Sequence, residues 1–428
     1  MFEKIIAEQN KHWISVKQET SVPREKLENL RQYLDKKQIV VITGIRRAGK
    51  SYLLKQVIEH LLRNKTNAKN ILFLNLETPY FDEYKDKVIY LEKIFEEYIS
   101  LAEPQGKIFI FLDEAQFFKN WQVFVKAKYE ATAIKFFITG SNSWLLSSEY
   151  ATLLSGRTIH FELYPFSFSE FCTAKNIDTK TKIALAANES KIRKILNEYL
   201  VWGGFPEIVF LDSEEQKSEI LINYYNNIVY RDIIPRFGIS NIRQTQELAH
   251  YLLSNIGKTT SYNQLSKLIG ISDKTVKEYI HYFVQGYLLF EVSMYAPSIK
   301  KQMANLKKVY AGDVGFTRAL GFSFSEDKGR FLENIVFLEL KRRGYDIYYF
   351  KDKKECDFIV KEGKKGMNAF QVCSLITPEN RMREFEGLKE AMKKLNIKHG
   401  TILTLNQEER NGNISVIPVW KWLLQKDN

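Results

Sequence analysis

The sequence predicts an α/β protein whose first half is a parallel β-sheet covered by helices. Four apolar runs in the first 140 residues have the length and the β-branched, aromatic content of buried strands. The first run is followed by a segment with the apolar periodicity of a helix, the order expected of a parallel sheet. At 428 residues the chain also exceeds the size at which one hydrophobic core stops growing, so two to four domains are expected.

The four apolar runs give the predicted strands in order. Each is short and rich in Ile, Val, Leu and Phe, which suits a strand buried on both faces. The helix after the first run places Leu53, Val57 and Leu61 on one face, and this face is expected to pack on the sheet. The runs cover residues 38–43, 70–76, 108–114 and 134–139.

Composition limits the class of protein. Hydrophobic residues make up 45% and charged residues 27% of the chain, with 9 prolines, so most of it is expected to fold. No apolar run approaches the roughly 18 residues of a membrane span, which predicts a cytoplasmic protein without membrane contact. The cysteines, Cys172, Cys356 and Cys373, are far apart and form no Cys-x-x-Cys pair, which argues against a disulfide framework or structural zinc site.

The formal net charge of +12 has two interpretations. It favours phosphate-rich partners such as nucleic acid, through long-range attraction and counterion release. It is explained equally well by a base-composition bias of the genome, because Lys, Asn and Ile are all abundant. Charge alone therefore does not select a partner.

The segment after the first run has the pattern of a phosphate-binding loop, Gly-x-x-x-x-Gly-Lys-Ser at 44–51. Gly44 and Gly49 let backbone N–H groups approach phosphates closely, and the following helix N-terminus adds positive charge. Lys50 is expected to reach the β- and γ-phosphates, and the Ser51 hydroxyl to bind Mg²⁺. The residues expected to bind ATP are Gly44, Ile45, Arg46, Arg47, Ala48, Gly49, Lys50, Ser51 and Tyr52.

Two carboxylates follow the third run. Asp113 and Glu114 fall at its carboxyl end, the edge at which open α/β sheets bind ligands. Asp113 is suited to hold Mg²⁺ together with Ser51, and Glu114 to polarise the attacking water as a general base. With Lys50 as the phosphate-binding cation, the pattern predicts an ATPase that uses Mg²⁺.

Small polar residues follow the fourth run, which ends in Gly-Ser-Asn-Ser. In one interpretation Ser141 or Asn142 senses the γ-phosphate or orients the attacking water. In the other, the segment is an ordinary turn, since Ser and Asn are common there.

These motifs together resemble the AAA+ superfamily of P-loop NTPases, and more narrowly the archaeal-type, or predicted, AAA+ ATPases of prokaryotes. The paired arginines Arg46 and Arg47, the segments 154–157 and 163–171, and Trp-Gly-Gly-Phe-Pro-Glu at 202–207 match that group's pattern. The resemblance implies an ASCE-type parallel sheet and a polar sensor after the fourth strand. Arg46 and Arg47 contact phosphate or nucleic acid in one interpretation and are surface charges in the other.

Arg157 is the candidate arginine finger that the resemblance implies. In the superfamily such a residue completes a neighbouring chain's nucleotide site, so an oligomer is among the expected states. A salt bridge at the start of a strand is an equal alternative for Arg157.

The middle of the chain has a helical pattern from Ile192 to Gly238, which the resemblance identifies with the helical lid of an AAA+ module. Ser261 and Ser272 are placed as N-caps of two helices, and two strands follow, so this part resembles a winged helix-turn-helix. Its lysines are expected to contact DNA phosphates, unless this fold binds a protein partner instead. They are Lys274, Lys277, Lys300, Lys301, Lys307 and Lys308.

The last hundred residues resemble an α/β restriction-endonuclease-like domain. The resemblance implies metal-binding roles for Glu333, Asp357 and Gln371, but Cys373 stands where a lysine would be expected. A thiol cannot supply the charge that stabilises a developing anion, so a degenerate domain used for structure or recognition is expected. The alternative is an active nuclease in which Lys364 or Lys365 replaces the missing lysine.

Four domains are therefore predicted. They are the P-loop core with an N-terminal extension at 1–190, the lid at 191–240, the winged helix at 241–322 and the nuclease-like domain at 323–428. The favoured function is an ATPase that acts with nucleic acid and uses Mg-ATP to move the later domains. A nucleotide-dependent switch or scaffold for a protein partner, and an ATP-regulated DNA nuclease, are the alternatives.

Overall fold

The computed structural model describes residues 1–15, 21–131, 134–143, 153–320, 328–361, 363 and 366–425. Lys364, Lys365 and the predicted boundary at 322/323 lie outside the described residues. The chain forms two compact units, residues 1–163 and 164–428. Within the described ranges, no helix is both long enough and apolar enough to cross a membrane.

The first unit contains a five-stranded, fully parallel sheet in the order β2-β3-β4-β1-β5. The first four strands confirm the four apolar runs. Because β4 lies between β3 and β1, the loops that leave these three strands meet at one edge of the sheet. The strands are β1 (Ile39–Thr43), β2 (Ile71–Asn75), β3 (Ile108–Asp113), β4 (Ile134–Gly140) and β5 (Thr158–Glu162).

Helices cover both faces of this sheet, which explains why its strands are apolar throughout. Alternate strand residues face opposite sides: Val41 packs with α1, α4 and α5, whereas Val40 and Ile42 pack with α2 and α3. The helices are α1 (Glu3–Gln9), α2 (Lys26–Arg31), α3 (Lys50–Arg63), α4 (Ile89–Ala102) and α5 (Trp121–Ala131). Short 3-10 turns lie at Lys11–Trp13, Ala68–Asn70, Pro79–Phe81 and Ala115–Phe117.

The outer edge of β2 is covered by side chains of the N-terminal segment instead of by another strand. Asn10 accepts from Phe73 N at 2.7 Å and donates to Phe73 O at 3.0 Å, so its amide imitates a strand neighbour. Gln9 pairs in the same way with Asn75, at 2.8 and 3.2 Å. These contacts satisfy backbone groups that would otherwise present an open edge for strand pairing.

Replacing Asn10 with alanine is expected to destabilise the first unit by about 2 to 4 kcal/mol. The change removes the partners of both Phe73 backbone groups, and Asn10 itself is fully buried. Hydrogen exchange read by peptide mass spectrometry should speed up at β2, whereas Asn64→Ala, on an exposed helix end, should leave it nearly unchanged. Unchanged protection of β2 in the Asn10 variant would contradict the edge-capping role.

The second unit begins with helices, as the periodicity from Ile192 predicts. Ser261 and Ser272 cap their helices as predicted, each accepting from the backbone N–H three residues on. The helices are α6 (Phe168–Ala174), α7 (Lys182–Trp202), α8 (Pro206–Val209), α9 (Glu214–Asn226), α10 (Ile234–Phe237), α11 (Ile242–Ser254), α12 (Tyr262–Ile269), α13 (Asp273–Gln285), α14 (Ile299–Ala304), α15 (Val314–Ala319), α16 (Lys328–Arg342), α17 (Pro378–Leu395) and α18 (Val419–Leu423). A π-helical segment, Asn227–Ile233, joins α9 to α10.

The strands of the second unit form one mixed sheet in the order β13-β14-β12-β11-β10-β9-β7-β8-β6. The β7–β8 hairpin of the predicted winged helix joins the C-terminal strands because β7 pairs with β9 in parallel. The sheet therefore continues across the predicted boundary at 322/323. Its strands are β6 (Thr259–Thr260), β7 (Leu289–Met294), β8 (Lys307–Ala311), β9 (Asp346–Lys351), β10 (Glu355–Lys361), β11 (Met367–Val372), β12 (Gly400–Thr404), β13 (Glu409–Asn411) and β14 (Ile414–Pro418).

Candidate functional site

The loop between β1 and α3 is built for close approach of its backbone to a ligand. Gly44 has φ of 150°, and a Cβ on it would lie 2.0 Å from Leu163 O, so no side chain fits there. Gly49 is left-handed at φ of 96° and is the residue before α3. Ile45 and Ala48 are buried, which fixes the loop against the unit's core. The exposed N–H groups of such a loop and helix start form an anion site.

Lys50 is the first residue of α3, and its side chain, which is 3% exposed, reaches back to the loop. Its ammonium donates to Gly44 O at 3.1 Å and Ile45 O at 3.4 Å, and to Ser141 Oγ at 2.8 Å. The charge is thus held within the loop by groups that a phosphate can replace.

Ser141 connects the loop to the carboxylates. Its hydroxyl lies 2.7 and 2.8 Å from the two Glu114 oxygens and 2.8 Å from Lys50 Nζ. The strand order explains this position, because β4 carries Ser141 between β1, which leads to Lys50, and β3, which leads to Glu114. Lys50 and Glu114 also form an ion pair at 3.4 Å.

Glu114 is held in a strained backbone conformation, with φ of 54° in the left-handed region. Its N–H donates to Thr139 Oγ1 at 2.9 Å, and Gln116 Nε2 donates to its carboxylate at 2.6 Å. Burial raises the pKa of Glu114, but the Lys50 ammonium and the hydrogen bonds from Ser141 and Gln116 outweigh it, so the net pKa is lowered. Glu114 is therefore an ionised carboxylate whose oxygens are already engaged.

In Asp113, the residue before Glu114, the opposing contributions to the pKa have the opposite net result. Burial, followed by repulsion from Glu114, raises the pKa of Asp113 to about 6, although hydrogen bonds from Ser51 and Thr139 oppose the shift. Thr139 Oγ1 donates to Asp113 Oδ1 at 2.5 Å. A serine hydroxyl next to a buried carboxylate is a donor set suited to Mg²⁺, so Ser51 and Asp113 fit the predicted metal role.

Three family models match successive parts of the chain. Residues 36–172 match the model described as AAA domain, residues 193–327 a domain of unknown function, DUF8612, and residues 328–422 another, DUF4143. The uncharacterized protein MJ1544 of Methanocaldococcus jannaschii is 34% identical, over 90% of this chain and 88% of its own length. This chain belongs to the MJ1544 family. An uncharacterized protein of Haemophilus influenzae is 34% identical, over 93% of this chain and 97% of its own.

The first unit of this MJ1544-family protein is a P-loop AAA+ module, since the AAA match contains the loop, both carboxylates and Ser141. Two solved structures match the chain with low similarity. Aeropyrum pernix ORC1 in complex with DNA matches at a TM-score of 0.33 and 13% identity, over 73% of this chain and 96% of that one. Pyrobaculum aerophilum CDC6P matches at a TM-score of 0.30 and 11% identity, also over 73% of this chain and 96% of that one. Likenesses this low do not bear on the function of the MJ1544-family protein.

Three other predicted residues lie around the loop. Arg46 forms an ion pair with Glu77, which follows β2, and its charge contributes to the lowered pKa of Glu114. Arg47 is exposed and left-handed at φ of 71°. Tyr52, in the first turn of α3, is 55% exposed. Arg46 thus belongs to the surroundings of the site, whereas Arg47 and Tyr52 face outward.

Asn142 is buried beside this cluster. Among the described residues, its Oδ1 atom has no hydrogen-bond partner. A buried acceptor without a partner is costly, which is compatible with a group that awaits a ligand or water. Ser141, by contrast, is fully engaged.

Arg157 lies at the opposite edge of the sheet. Its carbonyl accepts from Ile39 N, at the start of β1, and its guanidinium pairs with Glu130 at 3.0 Å. β1 spans five residues at about 3.3 Å each, so the loop begins about 16 Å away, beyond the reach of this side chain. Arg157 is therefore not brought together with Lys50 and Glu114 of its own chain, and the salt-bridge interpretation matches its contacts.

Several residues of the site were not predicted. Thr139 and Gln116 orient the two carboxylates, and Arg24 donates to Ala48 O at 2.5 Å from a buried position. Arg24 is 24 residues from the loop carbonyl that it contacts, and no local pattern marks it. Thr139 had a detectable signal, since it ends a strand that adjoins the two carboxylates.

The residues predicted for a nuclease-like site are close together in the second unit. Asp357 N donates to Gln371 Oε1 at 3.2 Å, and both Asp357 and Glu333 contact Lys308. Burial is the main reason that the pKa of Glu333 rises to about 7, in spite of Lys308. The prediction that Lys308 contacts DNA is wrong, because its side chain is 2% exposed and paired to carboxylates.

Replacing Asp113 with asparagine is expected to stabilise the nucleotide-free protein at pH 8 by up to about 3 kcal/mol. The folded pKa of about 6 exceeds the ordinary 3.8, so Asp113 contributes stability below pH 4 that is lost as pH rises through 6. Urea unfolding at pH 5 and pH 8 should show the gain growing with pH, and Asp35→Asn, on a 98% exposed side chain, should show none. A variant less stable than wild type at pH 8 would contradict this.

Proposed function

We propose that this protein is a Mg²⁺-dependent ATPase in which ATP binding releases Glu114 from Lys50 and Ser141. The supporting observation is the buried series Lys50, Ser141 and Glu114, in which each polar group is satisfied by the next. Without nucleotide, Glu114 is ionised, but its carboxylate oxygens are held by Ser141 and Lys50. The arrangement supports slow basal hydrolysis and a distinct conformation when ATP is bound.

The chain's own residues have separate roles in this proposal. Lys50 transfers its hydrogen bonds from Gly44 O and Ile45 O to phosphate oxygens, and its contacts to Ser141 and Glu114 loosen. Glu114 then orients and deprotonates water, with Asn142 as the further polar contact at that side. Ser51 and Asp113 would hold the metal ion. When bound, ATP would supply the phosphoryl group, and Mg²⁺ would neutralise the negative charge on its phosphates.

We further propose that the second unit works with nucleic acid. On α13 and the segment around α14, Lys274 is 87% exposed, and Lys277, Lys300 and Lys301 are exposed as well. Exposed lysines along a helix and an adjoining hairpin fit contacts to phosphates. The helices 262–269 and 273–285 with the β7–β8 hairpin are the winged helix of this proposal, within the predicted boundaries 241–322.

The test is ATP hydrolysis measured with double-stranded DNA, single-stranded DNA, RNA and no nucleic acid. We expect stimulation by DNA that falls steeply between about 50 and 200 mM salt, because counterion release dominates such binding. The double variant Lys274→Ala, Lys277→Ala should lose the stimulation and keep the basal rate. Equal rates in all four samples would reject the nucleic-acid role, whereas no hydrolysis in any would reject the ATPase itself.

A protein partner is the second candidate, and a specific surface favours it. Ile299 and Met303 on α14 are 75% and 74% exposed, and Leu306 after it is 46% exposed. Exposed apolar side chains grouped on one short segment are typical of contact surfaces. Co-purification of a protein that depends on ATP and is lost in Met303→Lys, without DNA affinity, would favour this candidate.

Arg157 has a role in this proposal only through a second chain. Its position at the amino edge of the sheet suits contact with a neighbour's nucleotide, which an oligomer would provide. Mass measurement with and without ATP tests this. A monomer in both conditions with Arg157→Ala fully active would remove Arg157 from the catalytic residues.

The domain assignments remain part of the proposal. A P-loop core at 1–190, a lid at 191–240 and a C-terminal restriction-endonuclease-like domain at 323–428 stay proposals, although the first compact unit ends at residue 163 and one sheet joins the winged helix to the last domain. An ATP-regulated nuclease receives less support, because the Lys308 ammonium occupies the space between Glu333 and Asp357 in which a metal ion would bind.

A further inference from the structure

Lys308 on β8 is buried in the second unit at a point where three carboxylates converge. Its ammonium lies 3.1 Å from Glu333, 2.9 Å from Glu355 and 3.2 Å from Asp357. The side chains of Glu333 and Asp357 are each 12% exposed, and that of Glu355 is 35% exposed. A cation surrounded by several carboxylate oxygens and shielded from water has the environment usually found around a metal ion.

Further contacts inside the protein hold Glu333 and Asp357 in place. Tyr310 donates to Glu333 Oε1 at 2.6 Å, and the other Glu333 oxygen lies against Gly257, where a Cβ would approach it to 3.1 Å. Asp357 Oδ2 accepts from Val372 N at 2.9 Å. Because the Lys308 ammonium occupies the point at which the three carboxylates meet, a metal ion bound there would have to displace it.

Gln371 is hydrogen-bonded at both ends of its side-chain amide. Its carbonyl oxygen accepts from Asp357 N at 3.2 Å, and its amide nitrogen donates to Glu384 at 2.8 Å. Cys373 donates to Leu375 O at 3.0 Å instead of facing the cluster. The predicted metal-binding residues thus do not fit a bound Mg²⁺ in this arrangement.

We propose that the Lys308 ammonium is the resident cation of this carboxylate cluster, so that it excludes divalent metal and links β8 to α16 and β10. This inference concerns a site outside the P-loop and does not depend on the ATPase. It assigns the cluster a structural role: an internal ion pair between the hairpin and the C-terminal strands. It also implies that removing the positive charge of Lys308 converts the carboxylate cluster into a metal site.

The test is Mn²⁺ binding to the nucleotide-free full chain, followed by calorimetry and by electron paramagnetic resonance. Wild type and Asp357→Asn should bind equal amounts of Mn²⁺, because no site depends on Asp357 while Lys308 is present. Lys308→Ala should gain one site per chain, bound at least about tenfold more tightly than any in wild type, since carboxylate oxygens suit Mn²⁺. Adding Asp357→Asn should remove it, and Lys301→Ala, an exposed lysine nearby, should gain none.

Two results would overturn the proposal. One is an Asp357-dependent Mn²⁺ site in wild type, and the other is a folded Lys308→Ala protein that gains no site. If Lys308→Ala does not fold, Lys308→Met, which keeps about the same side-chain volume, is tested in its place. The comparison of wild type with Asp357→Asn does not depend on either Lys308 variant. Cleavage of plasmid DNA by wild type that is lost in both Lys308→Met and Asp357→Asn would instead make Lys308 a catalytic residue and reject the structural role.

Discussion

Replacing Lys50 with alanine is expected to weaken ATP binding by about 100-fold or more and to abolish hydrolysis, because a buried charge-assisted contact to phosphate is worth about 3 kcal/mol. A second effect follows from the nucleotide-free contacts. Lys50 makes the largest of the contributions that lower the pKa of Glu114 against the effect of burial, so that pKa rises when Lys50 is removed. Calorimetry measures the binding of ATP, and an assay of phosphate release measures its hydrolysis.

The matched control is Lys69→Ala, an exposed lysine of the same unit that lies outside the loop. It should bind and hydrolyse ATP as wild type does. Wild-type affinity and rate in the Lys50 variant would reject the assignment of the loop, because no other described group replaces this ammonium at Gly44 O, Ile45 O and Ser141.

Replacing Glu114 with glutamine is expected to lower the rate of hydrolysis by about 100-fold to 10,000-fold, since an amide cannot take a proton from water. ATP binding should persist or tighten. The substitution abolishes the ion pair with Lys50 and leaves at most one oxygen for Ser141, so Lys50 is freed for phosphate. Single-turnover hydrolysis and equilibrium binding distinguish the two effects.

Glu96→Gln is the control for this variant, because Glu96 is exposed on α4. A Glu114 variant with a rate within about fivefold of wild type would show that another group is the base. Loss of ATP binding together with hydrolysis would show that Glu114 holds the site together rather than acting on water.

Local patterns predicted the strands, the loop and the two carboxylates, because the physical requirements are met within a few residues. Gly44 must lack a side chain and Lys50 must begin a helix, and both are visible in eight consecutive letters. The placement of Ser141 between Lys50 and Glu114 was not predictable in the same way. It depends on the order in which β3, β4 and β1 lie in the sheet, which the apolar runs do not encode.

Contacts between distant residues account for the other differences. Lys308 is one of several lysines in a basic segment, and only the burial of its partners distinguishes it from the exposed Lys300 and Lys301. Asn10 is an unremarkable residue after a short helix, yet its amide completes a strand edge 63 residues away. Neither role can be predicted from periodicity or spacing, since each depends on tertiary contacts between residues that are distant in the sequence.

The pairing of β7 with β9 has a mechanical consequence. Ser293 and Met294 pair with Tyr348 and Tyr349, and Tyr295 N donates to Tyr349 O at 2.7 Å, so the hairpin and the C-terminal strands share one hydrogen-bonded ladder. Strands in such a ladder slide past each other only if whole rows of hydrogen bonds break. We therefore expect the β7–β8 hairpin and the C-terminal strands to move together as one body, so that a displacement of the hairpin also displaces the strands of the C-terminal part of the sheet.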